Sequence, residues 1–68
     1  MEKFKIKGDF ITLGQFIKVQ SLVSSGGMVK PFLEEADITL NGEVENRRGK
    51  KLYRGDHLII DGVSYEFV

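Results

Sequence analysis

The chain has 68 residues, with ten basic and ten acidic side chains and no cysteine. At this size roughly 60% of the unfolded surface can be buried, so one small domain is expected, held by packing alone, with disulfides and thiolate metal sites excluded. Zero net charge argues against a general polyanion binder, and with no apolar leader core and nothing near the about 20 apolar residues of a membrane span, a soluble cytoplasmic protein is expected.

Lys3, Phe4, Lys5, Ile6 and Lys7 alternate with period two, which predicts a strand with Phe4 and Ile6 on one face and the lysines on the other. Gly8-Asp9 breaks it. Thr12-Leu13-Gly14-Gln15 has the form of a capping box, with Thr12 accepting from the Gln15 amide and the Gln15 side chain reaching back. Ile11 and Phe16 match a hydrophobic staple, and a helix is predicted over 13–20 that buries Leu13, Phe16 and Ile17. Ser24-Ser25-Gly26-Gly27 interrupts it and places a cap at Ser24 or Ser25. The second helix then carries Val29, Phe32, Leu33 and Ala36 on one face. Pro31 would fall in the second turn of a helix capped at Ser25, so a kink or a later start is expected.

Period two returns after Asp37. Ile38 and Leu40 point inward, Asn41-Gly42 predicts a two-residue hairpin, and Glu43-Val44-Glu45 leads away. Arg54-Gly55-Asp56 turns into a strand over 57–60, and Asp61-Gly62 turns into a last strand with Val63, Tyr65 and Phe67 inward. Whether residues 1–10 pair with 63–68 stays open at this point.

Groups for catalysis are scarce. His57 is the single histidine and has no second ligand or nucleophile at motif spacing. Gly26-Gly27 precedes a helix but lacks the Gly-Lys-Ser/Thr ending of a phosphate loop. Arg54-Gly55-Asp56 spells an adhesion tripeptide that a turn explains without a receptor. Glu34 and Glu35 are neighbours on a helix, point about 100° apart, and read as a solvated edge. No catalytic residue, metal or cofactor is predicted.

The basic run is different. Arg47-Arg48-Gly49-Lys50-Lys51 places four cations in five positions. A bland reading is a solvated loop that protects an edge strand. Against it, the arginine forks suit phosphate oxygens, Gly49 lets a bulky partner approach, and the Ser/Gly-rich start of the second helix can turn free amides to an anion, with Lys30 nearby. Glu34, Glu35 and Asp37 lie at the far end of that helix, so charge segregation would reconcile neutrality with a polyanion site.

The order of pieces from Thr12 to Gly62 resembles the S4 RNA-binding domain, especially its small stand-alone bacterial members of the YaaA type. The likeness rests on LVSSGGMVKPFLEE, ADITLNGEVENRRGKK and LYRGDHLIIDG. It implies an α+β fold of the αL type, two short helices packed on a small, mostly antiparallel sheet. It also implies a non-enzymatic protein that binds structured RNA, ribosomal or transfer, with the ribosome or an assembly intermediate as partner. Carried over position by position, the RNA surface comprises Gln15, Lys18, Ser25, Lys30, Arg47, Arg48, Lys50 and Lys51. The chain departs from the wider family at Gly26, where many members have a basic residue, and at Thr12-Leu13-Gly14, where many have Arg-Leu-Asp. A monomer is expected. Two rival readings are a protein-interaction module that binds an acidic partner through the same loop, and a main site at Lys3, Lys5 and Lys7.

Overall fold

The computed structural model describes all 68 residues. Strands β1 (Glu2–Phe4), β3 (Ile38–Leu40), β4 (Glu43–Val44), β6 (His57–Ile60) and β7 (Val63–Phe67) form one sheet in the order β1-β7-β6-β3-β4. Only β1 runs parallel, beside β7, with Phe4 opposite Phe67. The two chain ends therefore do pair, and the bonds continue past the strand, from the Ile6 amide to the Val68 carbonyl at 2.8 Å. The predicted alternation holds there: Ile6 is buried and Phe4 half-buried.

The hairpins follow from residues that tolerate left-handed backbone. Asn41 and Gly42 have φ of 51° and 87°, and Asp61 and Gly62 have 47° and 85°, the mirror-image turn that suits the twist of adjacent strands. The second turn sets β7 against β6 with Leu58 opposite Tyr65, both buried. Val63, expected to point inward, sits beside the turn at the end of the sheet and stays 43% exposed.

Helix α1 (Leu13–Val19) starts as expected, on the complete Thr12–Gln15 capping box. Its end was not anticipated. Ser21 takes φ 58°, the Ser21 amide donates to the Lys18 carbonyl, and the Leu22 amide to that of Ile17. That is a Schellman ending with serine where glycine is the usual residue. Helix α2 starts later than a Ser25 cap implies. Ser25 precedes a 3-10 turn, Gly26–Met28, without a side-chain cap bond, and α2 proper runs Val29–Glu35. Pro31 is then the third helical residue, where an amide has no intrahelical acceptor to lose, so the proline fits without a kink.

Thirteen buried apolar residues form a single cluster between the helices and the sheet. Phe16 is its centre, with its ring edge-on to Phe4, Tyr65 and Phe67 at centroid distances of 5.1, 5.0 and 5.0 Å. Such pairs add to the burial of the rings themselves. At the usual 0.05–0.15 kcal/mol per residue, total stability is roughly 3–10 kcal/mol, and Phe16→Ala should cost about 3–5 kcal/mol, enough to populate the unfolded state in urea titrations. Ser21→Gly should act the other way, raising stability by about 1 kcal/mol because it removes the left-handed strain.

Candidate nucleic-acid interface

The basic loop is fixed to the start of α1. The first helical amides need acceptors from outside the helix. Leu13 donates to the Lys50 carbonyl at 2.8 Å and Gly14 to the Arg48 carbonyl at 2.9 Å. Gln15 donates to Thr12 Oγ1 at 3.2 Å. A two-residue sheet missed in the sequence, β2 (Ile11–Thr12) antiparallel to β5 (Lys51–Leu52), fastens the next residues. The start of α1 therefore offers no free amides to an anion, and its contribution to the surface is side chains.

Gly14 explains why the contact is this close. It is buried, and a Cβ there would lie 2.8 Å from Arg48 Cγ and 3.2 Å from the Arg48 carbonyl oxygen. Where many S4 domains are expected to carry an acid, this chain uses the absence of a side chain to seat the loop. Gly26, the other departure, lies beside α1. A Cβ on it would meet Lys18 Cδ at 3.8 Å, so a lysine from the first helix runs past the position that lacks its own cation.

Within the loop the acids and bases are sorted unexpectedly. Glu45 is the one buried charged residue, 8% exposed, while Val44 before it is 81% exposed. The Glu45 carboxylate accepts from the Arg47 amide at 2.9 Å, from Nε at 3.0 Å and from Nη2 at 3.0 Å. Arg47 thus has its fork committed to folding the loop, although its side chain is 70% exposed. The side-chain bond from Arg47 is the main reason that the Glu45 carboxyl is lowered from 4.5 to about 2, against the opposing effect of its burial. No second ion pair forms, which leaves Arg48, Lys50 and Lys51 without carboxylate partners.

Seven of the eight sequence-predicted residues line concavities, and Arg47 and Lys50 share one of these with Glu43 and Glu45. Lys30 and Arg48 face a groove of about 330 Å³ between α2 and the loop, together with Asn46 and Glu34. Arg47, Lys50 and Lys51 line another with Gly49 and Tyr53. Gln15 and Lys18 line a third, on the β1 side of α1, with Lys7 and Phe10. Ser25 lines none of them and stays exposed. The expected separation of charge by helix end is corrected by Glu34, which joins the basic groove. Glu35 instead rims a separate apolar groove with Asp61, Phe32 and Pro31, so acids stand both beside the cations and away from them.

The adhesion tripeptide has a structural use. Arg54 Nη2 donates to the Ile6 carbonyl at 2.8 Å, and Asp56 accepts from Asn41 Nδ2 at 3.0 Å and the Tyr53 amide at 2.8 Å. Sequence reasoning missed this, the Glu45–Arg47 pair and the role of Gly14, since each depends on a partner that no local pattern identifies. It also missed an aromatic group beside the cations. Phe10 meets Tyr53 edge-on at 6.1 Å, and Lys51 Nζ lies 4.8 Å from the Phe10 ring centroid.

The S4 domain family matches residues 4–68. The chain is also similar to the "Probable ribosome maturation protein RlbA" of Bacillus subtilis (strain 168), with 51% identity over 57 residues, 84% of this chain and 80% of that protein.

A carboxylate whose folded-state pKa is depressed stabilises the fold fully above its unfolded value and loses that effect as it protonates. Stability should therefore fall as pH drops from about 4.5 toward about 2. In Arg47→Ala that part of the acid dependence should shrink, read as thermal midpoints across this range. Gly14→Ala should cost about 1–3 kcal/mol through overpacking despite alanine's better helix propensity. The largest amide shifts should fall at residues 47–51, where the loop is displaced.

Proposed function

Because the chain belongs to the S4 domain family, we propose that it is a non-enzymatic RNA-binding module. Its ligand is structured ribosomal RNA or a ribosome-assembly intermediate, and its contacts come from the basic loop and the flanking side chains of α1 and α2. The observation that carries this reading is the seating of the loop on α1. It holds the backbone of Arg48 and Lys50 at fixed positions, so cations are presented on a rigid support with little ordering left to be done on binding. The similarity to a protein named for ribosome maturation supports the choice of RNA.

Residues have separate parts in this scheme. Arg48 and Lys30 flank one groove and contact phosphates on either side of it. Lys50 and Lys51 make the next contacts along the loop. Lys18 and Gln15 extend the surface along α1, and Ser25 borders it beside Gly26. Arg47 acts chiefly through Glu45, holding the loop, and adds its exposed charge to the field. Recognition of this kind reads shape and phosphate spacing, as suits A-form helices whose deep groove side chains do not enter.

If about four phosphates are neutralised, log affinity should fall against log salt with a slope of about three to four, at about 0.7–0.9 per contact between single-strand and duplex limits. The double variant Arg48→Ala, Lys50→Ala should bring the slope down to roughly half, since each lost contact removes about 0.7–0.9. Its thermal stability should be almost unchanged, because exposed charges contribute roughly 0–1 kcal/mol each. Binding to a ribosomal RNA fragment that is flat in salt, or unaltered in the double variant, would contradict the proposal.

A further inference from the structure

The third concavity, on the β1 side of α1, has a character that phosphate contacts leave unexplained. It is about 670 Å³ and is lined by Phe4, Phe10, Ile11 and Val19, with Gln15, Lys7 and Lys18 as its polar members. No carboxylate lines it. Val19 is 60% exposed on a helix that otherwise buries its apolar residues. Phe10 connects this pocket to the basic loop through Lys51, 4.8 Å from its ring centroid, and through Tyr53 at 6.1 Å. Gln15 Oε1 accepts from the Thr12 amide, which leaves the side-chain NH2 as the group able to donate outward.

An apolar, aromatic cleft ringed by lysines and free of acid suits a flat apolar body with a negative charge attached. An unpaired nucleotide has that form. Its base gains by stacking on an aromatic ring and its phosphate by the ammonium groups, a combination that proteins use where RNA bases are unstacked. The size lies within the usual range of about 300–1,000 Å³ for small-ligand sites. The acid-rimmed groove with Glu35 and Asp61 offers the opposite sign and would repel the same ligand.

We infer that this pocket receives a base extruded from the RNA, beside a helix held by the basic loop. The inference rests on the RNA-binding reading above. It specifies the RNA further: a helix interrupted by a bulge or an unpaired junction nucleotide, with the base between Phe10 and Val19 and its phosphate near Lys7 and Lys18.

The test compares a fully paired RNA duplex with the same duplex carrying one bulged adenosine, by fluorescence anisotropy at fixed salt. The wild type should bind the bulged RNA about tenfold more tightly, the value of one stacked base. Phe10→Ala should erase that ratio while still binding the duplex. Val19→Glu, at an exposed helical position that places no demand on folding, should erase it as well. Phe10→Ala adds no charge, so it separates the loss of stacking from repulsion of the phosphate by the new carboxylate. Equal affinities in the wild type, or a ratio that survives both variants, would overturn the inference and give the pocket to an apolar protein segment, with RNA binding by the loop intact. Absence of salt-dependent binding to either RNA would overturn the RNA reading and this inference with it.

Discussion

The first turn of α1 lacks acceptors for its amides, and the loop that carries the cations supplies them through the carbonyls of Arg48 and Lys50. Much of the candidate surface depends on this exchange. It closes the helix start, which would otherwise be an anion site of its own. It also fixes a loop that would otherwise be a mobile basic segment. The β2–β5 pair and the missing side chain at Gly14 make the approach possible. Overpacking at that one position acts on the loop before it acts on the core.

Electrostatics in this neutral chain works by commitment of partners. Glu45 occupies the fork of Arg47, and the Ile6 carbonyl takes a bond from Arg54. What remains unpaired around the loop is Arg48, Lys50 and Lys51, with Lys18 and Lys30 from the helices on either side. A buried carboxylate inside a basic loop looks costly, but three bonds from one arginine compensate it. The loop thereby gains a defined shape. Glu35 and Asp61 lie apart from the loop, in a separate groove.

Most of the fold was legible because its signals are local. The Thr12–Gln15 box, the Asn41-Gly42 and Asp61-Gly62 turns and the alternation into β3 all involve neighbours in sequence, and each appears as read, while in β7 Tyr65 and Phe67 are buried as read and Val63 is not. The late start of α2 is one of the two outcomes that Pro31 allowed, the other being a kink. The candidate site was legible as composition and not as geometry. Nothing near Gly14 reveals that a loop some thirty-five residues later will sit on it, and nothing in Glu43-Val44-Glu45 reveals that the valine faces water and the second acid is buried. A five-residue basic run could be seen at once. That one of its arginines holds the loop, and that its last lysine lies against Phe10, required the tertiary structure.

The central claim is that a loop locked to α1 presents its cations to RNA on a rigid support. Amide chemical shifts recorded while a structured ribosomal RNA hairpin is titrated into the protein test it most directly. The expected result is movement at residues 48–51 together with Lys18 and Lys30, with Leu22, Val23 and Asp61 of the acid-rimmed groove unmoved. Shifts concentrated in that groove, with the loop silent, would contradict the account.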